Sequence, residues 1–145
     1  MRAIVQRVSR GSVTVDSHTV AQIERGFIIL LGIGPDDTEE IARELARKIA
    51  FLRVFEDEDE KMNLSLLDIK GEAIVVSQFT LYASTRKGNR PSFTDAAPPE
   101  IAQLLVDQFA GFLQEQGIPT QKGEFGAHMI VEIVNDGPVT IQFEY

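Results

Sequence analysis

Three polar segments interrupt otherwise apolar stretches of this 145-residue chain: Ser77-Gln78-Phe79-Thr80, the run 85–93, and Asn135-Asp136-Gly137-Pro138-Val139-Thr140. The first sets two hydroxyls and an amide at the end of a buried strand, where groups facing a core must find partners. The same letters also suit plain structure, because a strand end leaves the core anyway and Thr and Phe are good strand formers. The second gathers Arg86, Lys87 and Arg90 in a chain whose net charge is -8. Three such cations fit a solvated loop as well as they fit contacts to phosphate. The third reads as a hairpin turn, the usual role of these residues, although a Gly-Pro bond can also be cis. In that state two successive carbonyls would aim the same way and form a rigid edge that leaves no room for a side chain on one side of a pocket.

The chain has no cysteine, which excludes a thiol nucleophile, a disulfide framework and any cysteine-ligated zinc or iron–sulfur site. Covalent chemistry would fall to Ser, Thr, Lys or a carboxylate. His18 and His128 are far apart and neither has a two-histidine zinc spacing. The acidic run Glu56-Asp57-Glu58-Asp59-Glu60 lacks the spaced ligands, bend glycine and closing bidentate acid of a calcium loop, so it reads as a solvated turn. No metal and no cofactor is expected. The acidic balance argues against binding along a nucleic-acid backbone, which draws on a large basic surface; any RNA contact should be local. Arginines interrupt every apolar run of MRAIVQRVSRGSVTV, so neither a signal-peptide core nor a membrane span is expected, and the expected location is cytoplasmic.

These segments need a scaffold, and the length and the 43% hydrophobic content suit a single domain over 1–145. Alternation predicts strands over 2–8 and 12–16, a turn at Asp16-Ser17-His18 and a short strand over 20–24. The run FIILLGI after Gly26 suits a strand buried on both faces and central in its sheet. Asp37 and Glu40 are spaced as a capping pair for a helix over 38–53, with Ile41, Leu45, Ile49 and Leu52 on one face. A second buried strand is predicted over 72–82. A second helix should start at Pro98-Pro99-Glu100, turn Ile101, Leu104, Leu105, Phe109 and Phe112 inward, and stop at Gly117. Strands over 128–134 and 138–144 pair around Asn135-Asp136-Gly137. The sum is a mixed α/β domain, rich in strands, with two main helices.

Several long motifs, in order from one end of the chain to the other, resemble those of the D-aminoacyl-tRNA deacylases: MRAIVQRVSRGSVTVD, FEDEDEKMNLS, VVSQFTLYASTRKGNRPSFTDAAPP and NDGPVT. The resemblance implies a homodimer of three-layer α/β/β fold with active sites at the dimer interface. It implies hydrolysis of the ester joining a D-amino acid to the 3′ acceptor end of tRNA, as translation quality control. By the same resemblance Ser77, Gln78, Phe79 and Thr80 form the catalytic wall of the pocket. Gly137-Pro138 would be a cis-proline motif, supported by Arg7 and inserted into the other subunit's pocket to reject L-amino acids. Phe125, Gly126, Ala127 and Met129 would line a pocket for the terminal adenosine. Many members carry Asp where this chain has His128, so no role passes to that position.

Two mechanisms fit these residues. Backbone N–H donors near Phe79 and Thr80 could stabilise the tetrahedral oxyanion while the ribose 2′-hydroxyl assists water, or Thr80 could form an acyl-enzyme. No His or Lys is motif-linked to Thr80 as a base, which favours the first. A filter that works by excluding side chains would let glycine through, so glycyl-tRNA is an expected substrate. The competing readings are a tRNA-binding module without turnover, a small-molecule esterase using Thr80, and an oligomerisation domain.

Overall fold

The computed structural model describes residues 1–145. Strand β1 (Arg2–Val15) runs without a break through the region predicted as two strands. Its alternation slips at Arg7-Val8, both buried, and Ser9-Arg10, both exposed. The register with its neighbour shifts at the same place. A one-residue slip turns every later side chain to the opposite face. Ala3 and Val5 accordingly join the larger apolar core, while Val8 and Val13 join a smaller one. Asp16 and Ser17, with φ of 47° and 65°, make the tight turn into β2 (His18–Ile23), the positive-φ pair that a two-residue hairpin requires.

Strand β3 (Gly26–Gly32) is central as expected, antiparallel to β1 and parallel to β6 (Glu72–Ser77). β6 in turn pairs in parallel with β7 (Thr120–Lys122), a short strand that the sequence pattern did not reveal. Two helices make the crossovers that parallel pairing needs: α1 (Glu39–Ala50) between β3 and β6, and α2 (Pro99–Glu115) between β6 and β7. Phe27, Ile29, Leu31, Ala73 and Val75 point to the helices, and the alternate residues Ile28, Ile74 and Val76 point to the other face. There they meet Val13, Ala21 and Ile23, with Met129, Val131 and Ile133 packed alongside. Helices, the β3–β6 sheet and the curled β1–β2–β8 layer thus form three layers, with β8 (Ile130–Glu144) running along β1.

Several local expectations change. The α1 N-cap is Thr38, whose Oγ1 accepts from the Ile41 N–H at 3.4 Å. Asp37 instead accepts from the Gly34 N–H at 2.6 Å and pairs with the Met1 ammonium, a use that no capping pattern could reveal. The helix ends at Ala50 rather than 53, so Leu52 lies beyond it, and both Ile41 and Leu52 are half-buried. In α2, Leu105, Phe109 and Phe112 are buried as predicted, but Ile101 and Leu104 are 44% and 58% exposed because the inward stripe continues through Val106, Ala110 and Leu113. The predicted strand over 72–82 stops at Ser77, and Phe79–Tyr82 form a 3-10 turn. Around the acidic run, β4 (Phe55–Glu56) and β5 (Met62–Leu64) make a small hairpin in which Asp57 accepts from the Asp59 and Lys61 N–H groups, each at 3.0 Å.

The largest correction concerns residues 128–144. They are not two strands around a hairpin turn: β8 follows β1 throughout, with Asn135 paired to Val8 and Thr140 to Gln6. Asp136, Gly137, Pro138 and Val139 therefore bulge against Arg7 alone. The Gly137-Pro138 peptide is cis, the state that the family resemblance implied.

Candidate active site

A cavity of about 420 Å³ opens at the carboxyl ends of β3 and β6, beside the first turn of α2. This is where parallel strands leave room for ligands, because the chain turns away from the sheet there. Leu31, Ile33, Ser77, Phe79, Ala97 and Pro99 line its base and sides, and Phe93, Phe125 and Gly126 close it. None of its lining residues is ionisable. A surface of this kind suits a flat, largely apolar group, with Ser77 and the backbone as its polar handles.

Ser77 and Phe79 face this cavity, whereas Gln78 and Thr80 do not line it and are hydrogen-bonded to each other through Nε2 and Oγ1. The chain leaves β6 under control of the sheet, since the Gln78 N–H still donates to the Leu31 carbonyl at 2.8 Å. It then turns through Leu81 N–H to the Gln78 carbonyl, 3.2 Å, and Ala83 N–H to the Thr80 carbonyl, 3.0 Å. Phe79 is 55% exposed and meets Phe93 edge-on, with ring centroids 5.1 Å apart and an interplanar angle of 73°. Behind the turn, burial first and the Asp37 carboxylate second push the Tyr82 hydroxyl up to about 12, as both disfavour a phenolate.

Phe93 reaches the cavity from an arm closed by reciprocal Ser84–Ser92 backbone bonds of 2.8 and 2.9 Å. Arg86, Lys87 and Arg90 are exposed on that arm and join no ion pair. Of the predicted adenosine-pocket residues, Phe125 and Gly126 line the cavity; Ala127 does not, and Met129 packs on the smaller core cluster instead. His128 is exposed. The predicted site residues did not include Phe93 or the Ala96-Ala97 wall. A run of small apolar residues in a loop, directly after a basic stretch, was the available signal.

Arg7, Gly137 and Pro138 form a second group, apart from this cavity. Arg7 is 4% exposed, an uncommon place for a guanidinium. Its Nη1 donates to the Val54 carbonyl at 2.6 Å and its Nε to the Asp136 carbonyl at 3.0 Å. The Glu56 and Asp136 carboxylates lie 3.7 and 3.6 Å away. The charge is thereby compensated where water is scarce, and the bulge is tied to the body of the domain. Gly137 and Pro138 are themselves exposed and line no part of the cavity in their own chain.

Comparison with known proteins identifies the family. The family model described as D-Tyr-tRNA(Tyr) deacylase matches residues 4–144. A Roseiflexus protein named D-aminoacyl-tRNA deacylase is 63% identical over 141 residues, covering 97% of this chain and 91% of that protein. A protein of the same name from Thermotoga petrophila is 56% identical, covering 97% of this chain and 95% of its own. Among solved structures, one described as c-Myc DNA Unwinding Element Binding Protein superposes with a TM-score of 0.94 at 45% identity, covering 100% of this chain and 99% of the other. A structure described as a probable eukaryotic D-amino acid tRNA deacylase has a TM-score of 0.82 over 98% of this chain and 97% of its own; its 18% identity makes it a likeness of fold alone. The chain belongs to the D-Tyr-tRNA(Tyr) deacylase family.

Proposed function

We propose that this protein hydrolyses the ester bond of D-aminoacyl-tRNA, releasing free D-amino acid and tRNA, and that it acts without a cofactor in translation quality control in the cytoplasm. The observation that carries this reading is the convergence of Ser77 and Phe79 with Phe125 and Gly126 on one apolar cavity, in a chain matched nearly end to end by relatives named D-aminoacyl-tRNA deacylase. The terminal adenosine of the acceptor end occupies that cavity, its ester beside the Ser77–Thr80 turn. Arg86, Lys87 and Arg90, unpaired on the neighbouring arm, meet the phosphates that precede it.

An aminoacyl ester is already activated, so the enzyme's main task is to hold it and to stabilise the oxyanion formed when water adds to the carbonyl. The N–H groups of Phe79 and Thr80 stand at the N-terminal end of the 3-10 turn, ahead of its first internal bond, and serve as those donors. Thr80 is a poor nucleophile here: its hydroxyl is engaged by Gln78, and no lysine or histidine hydrogen-bonds to it. The 2′-hydroxyl of the terminal ribose therefore assists the water. Collapse of the tetrahedral adduct expels the ribose 3′-oxygen, which takes up a proton, and leaves the amino acid as its carboxylate.

Discrimination between enantiomers falls to Gly137 and Pro138. In one chain this segment lies outside the cavity, so a second copy must supply it, and the working unit is a homodimer with composite sites. Buried Arg7 fixes the segment so that a side chain of L configuration meets an unyielding backbone. Overpacking of this kind costs about 1–3 kcal/mol, occasionally more. Glycine escapes the filter, and glycyl-tRNA is a substrate.

The test is deacylation of matched D-tyrosyl-tRNA and L-tyrosyl-tRNA by the purified protein without added metal, beside a Gly137→Ala/Pro138→Ala variant. Cleavage of the D-ester alone is expected, with selectivity lost in the variant. No cleavage of either ester would overturn the enzymatic reading in favour of a tRNA-binding module.

A further inference from the structure

The turn that carries Phe79 and Thr80 is a single stretch of 3-10 helix, Phe79–Tyr82, with no side-chain cap at its N-terminus. Such turns have poor hydrogen-bond geometry and little stability of their own. A placement error of about 1 Å in a reacting group can cost on the order of a hundred-fold in rate, so something outside the turn must hold it. At its start the sheet does this through Gln78 and Leu31. At its far end the Arg2 side chain, which no part of the proposed chemistry uses, closes on it and is held in turn by Glu144.

Arg2 stands opposite Gly32 on one side and Glu144 on the other, at the very ends of β1, β3 and β8. Its Nη1 donates to the Leu81 carbonyl at 3.0 Å, and its guanidinium lies over the Tyr82 ring, 4.6 Å from the centroid. Its Nε and Nη2 donate to Glu144 Oε1 at 2.9 and 2.6 Å. The Tyr82 ring is seated on bare backbone: a β-carbon at Gly34 would come within 2.6 Å of its hydroxyl oxygen. Arg2 thus ties two neighbouring residues of the turn, Leu81 by its carbonyl and Tyr82 by its ring, to a strand end that Glu144 steadies.

We infer that Arg2, Glu144 and Tyr82 are positioning residues of the deacylase site, a clamp that sets where the Phe79 and Thr80 backbone donors point. The inference rests on the function proposed above. The contacts are partly exposed, so their net worth to folding is small. Their effect lies in orientation, and orientation is read in kcat.

The experiment compares kcat, KM and melting temperature of wild type, Arg2→Ala, Arg2→Lys, Glu144→Ala and the Arg2→Ala/Glu144→Ala double variant on D-tyrosyl-tRNA. Arg2→Ala is expected to lower kcat by about ten-fold or more, with KM within about two-fold and the melting temperature little changed. Arg2→Lys, which keeps the charge but not the forked contact, recovers part of the loss. The double variant is expected to lose no more than Arg2→Ala, since coupled residues are not additive. Full kcat in Arg2→Ala, or losses that simply multiply, would overturn the clamp. A second measurement follows the Thr80 methyl resonance by NMR, expected to shift or split in Arg2→Lys and Arg2→Ala. An unchanged resonance in both overturns the clamp, and this readout stands even if wild type cleaves no ester, which would overturn the proposed activity instead.

Discussion

The Ser77–Tyr82 turn and the Asp136–Val139 bulge are both short departures from long strands, yet they are built in opposite ways. The turn faces a cavity formed by its own chain and is held at both ends by that chain, through Leu31 at one end and Arg2 at the other. The bulge has no cavity of its own, and its Gly137-Pro138 tip is exposed, but beneath it sits a guanidinium almost wholly removed from water. A buried arginine is costly unless every contact is made, so its presence under an exposed loop indicates that the loop's placement matters. Under the proposed function, the turn receives the substrate and the bulge is presented to a second copy.

The sharpest break between them is a substrate change. A D-aminoacyl-tRNA ending in 2′-deoxyadenosine is expected to be cleaved about 10²–10⁴-fold more slowly, the usual contribution of a positioned proton-transfer group, while Thr80→Ala stays within about ten-fold of wild type. Single-turnover rates decide it, and the opposite ranking would make the turn a nucleophile site. Next comes Gly137→Ala, at a φ of 124° where the new β-carbon would lie 2.9 Å from Val139 Cγ2. It should shift the bulge and lower the D-over-L ratio of kcat/KM by about five- to 150-fold, corresponding to the 1–3 kcal/mol of overpacking, with much less effect on the D-ester itself. Equal losses on both esters would mean that turn and bulge are not separable.

Smaller effects sharpen the picture. Replacing Arg86, Lys87 and Arg90 by alanine should raise KM a few-fold and flatten the salt dependence of tRNA binding, by about 0.7 in the logarithmic slope per lost single-strand contact; an unchanged slope would make the arm a solvated loop. Least of all, the Tyr82 hydroxyl is held up at about 12 from the usual 10.0. Its folded value exceeds its unfolded one, so the associated stability is intact below pH 10 and is lost as pH rises toward 12. Tyr82→Phe should show a shallower decline in denaturant midpoint over that window.

Much of this was readable from the letters. Buried strands such as Phe27–Leu31 and Ala73–Val76 announce themselves as continuous apolar runs, α1 and α2 by periodicity, α2 also by Pro99 at its start and Gly117 just past its end, and the family by motifs of many residues in order. Element type follows from such local signals; Ser77, Gln78, Phe79, Thr80 and Gly137-Pro138 were assigned roles only through the family resemblance, because their letters alone suit a strand end and a hairpin turn. Tertiary structure alone decided the rest. Whether 128–144 is a hairpin or one bulged strand depends on β1 lying alongside it, because a turn-like Asn-Asp-Gly-Pro is equally compatible with either until its neighbours claim its hydrogen bonds. The same holds for Asp37, taken from a cap by Gly34 and the amino terminus, and for Arg2, whose partners Leu81 and Glu144 are 79 and 142 residues away. Local propensity is written in adjacent residues; the partner of a long-range hydrogen bond is not, and it is those partners that set where the turn and the bulge point.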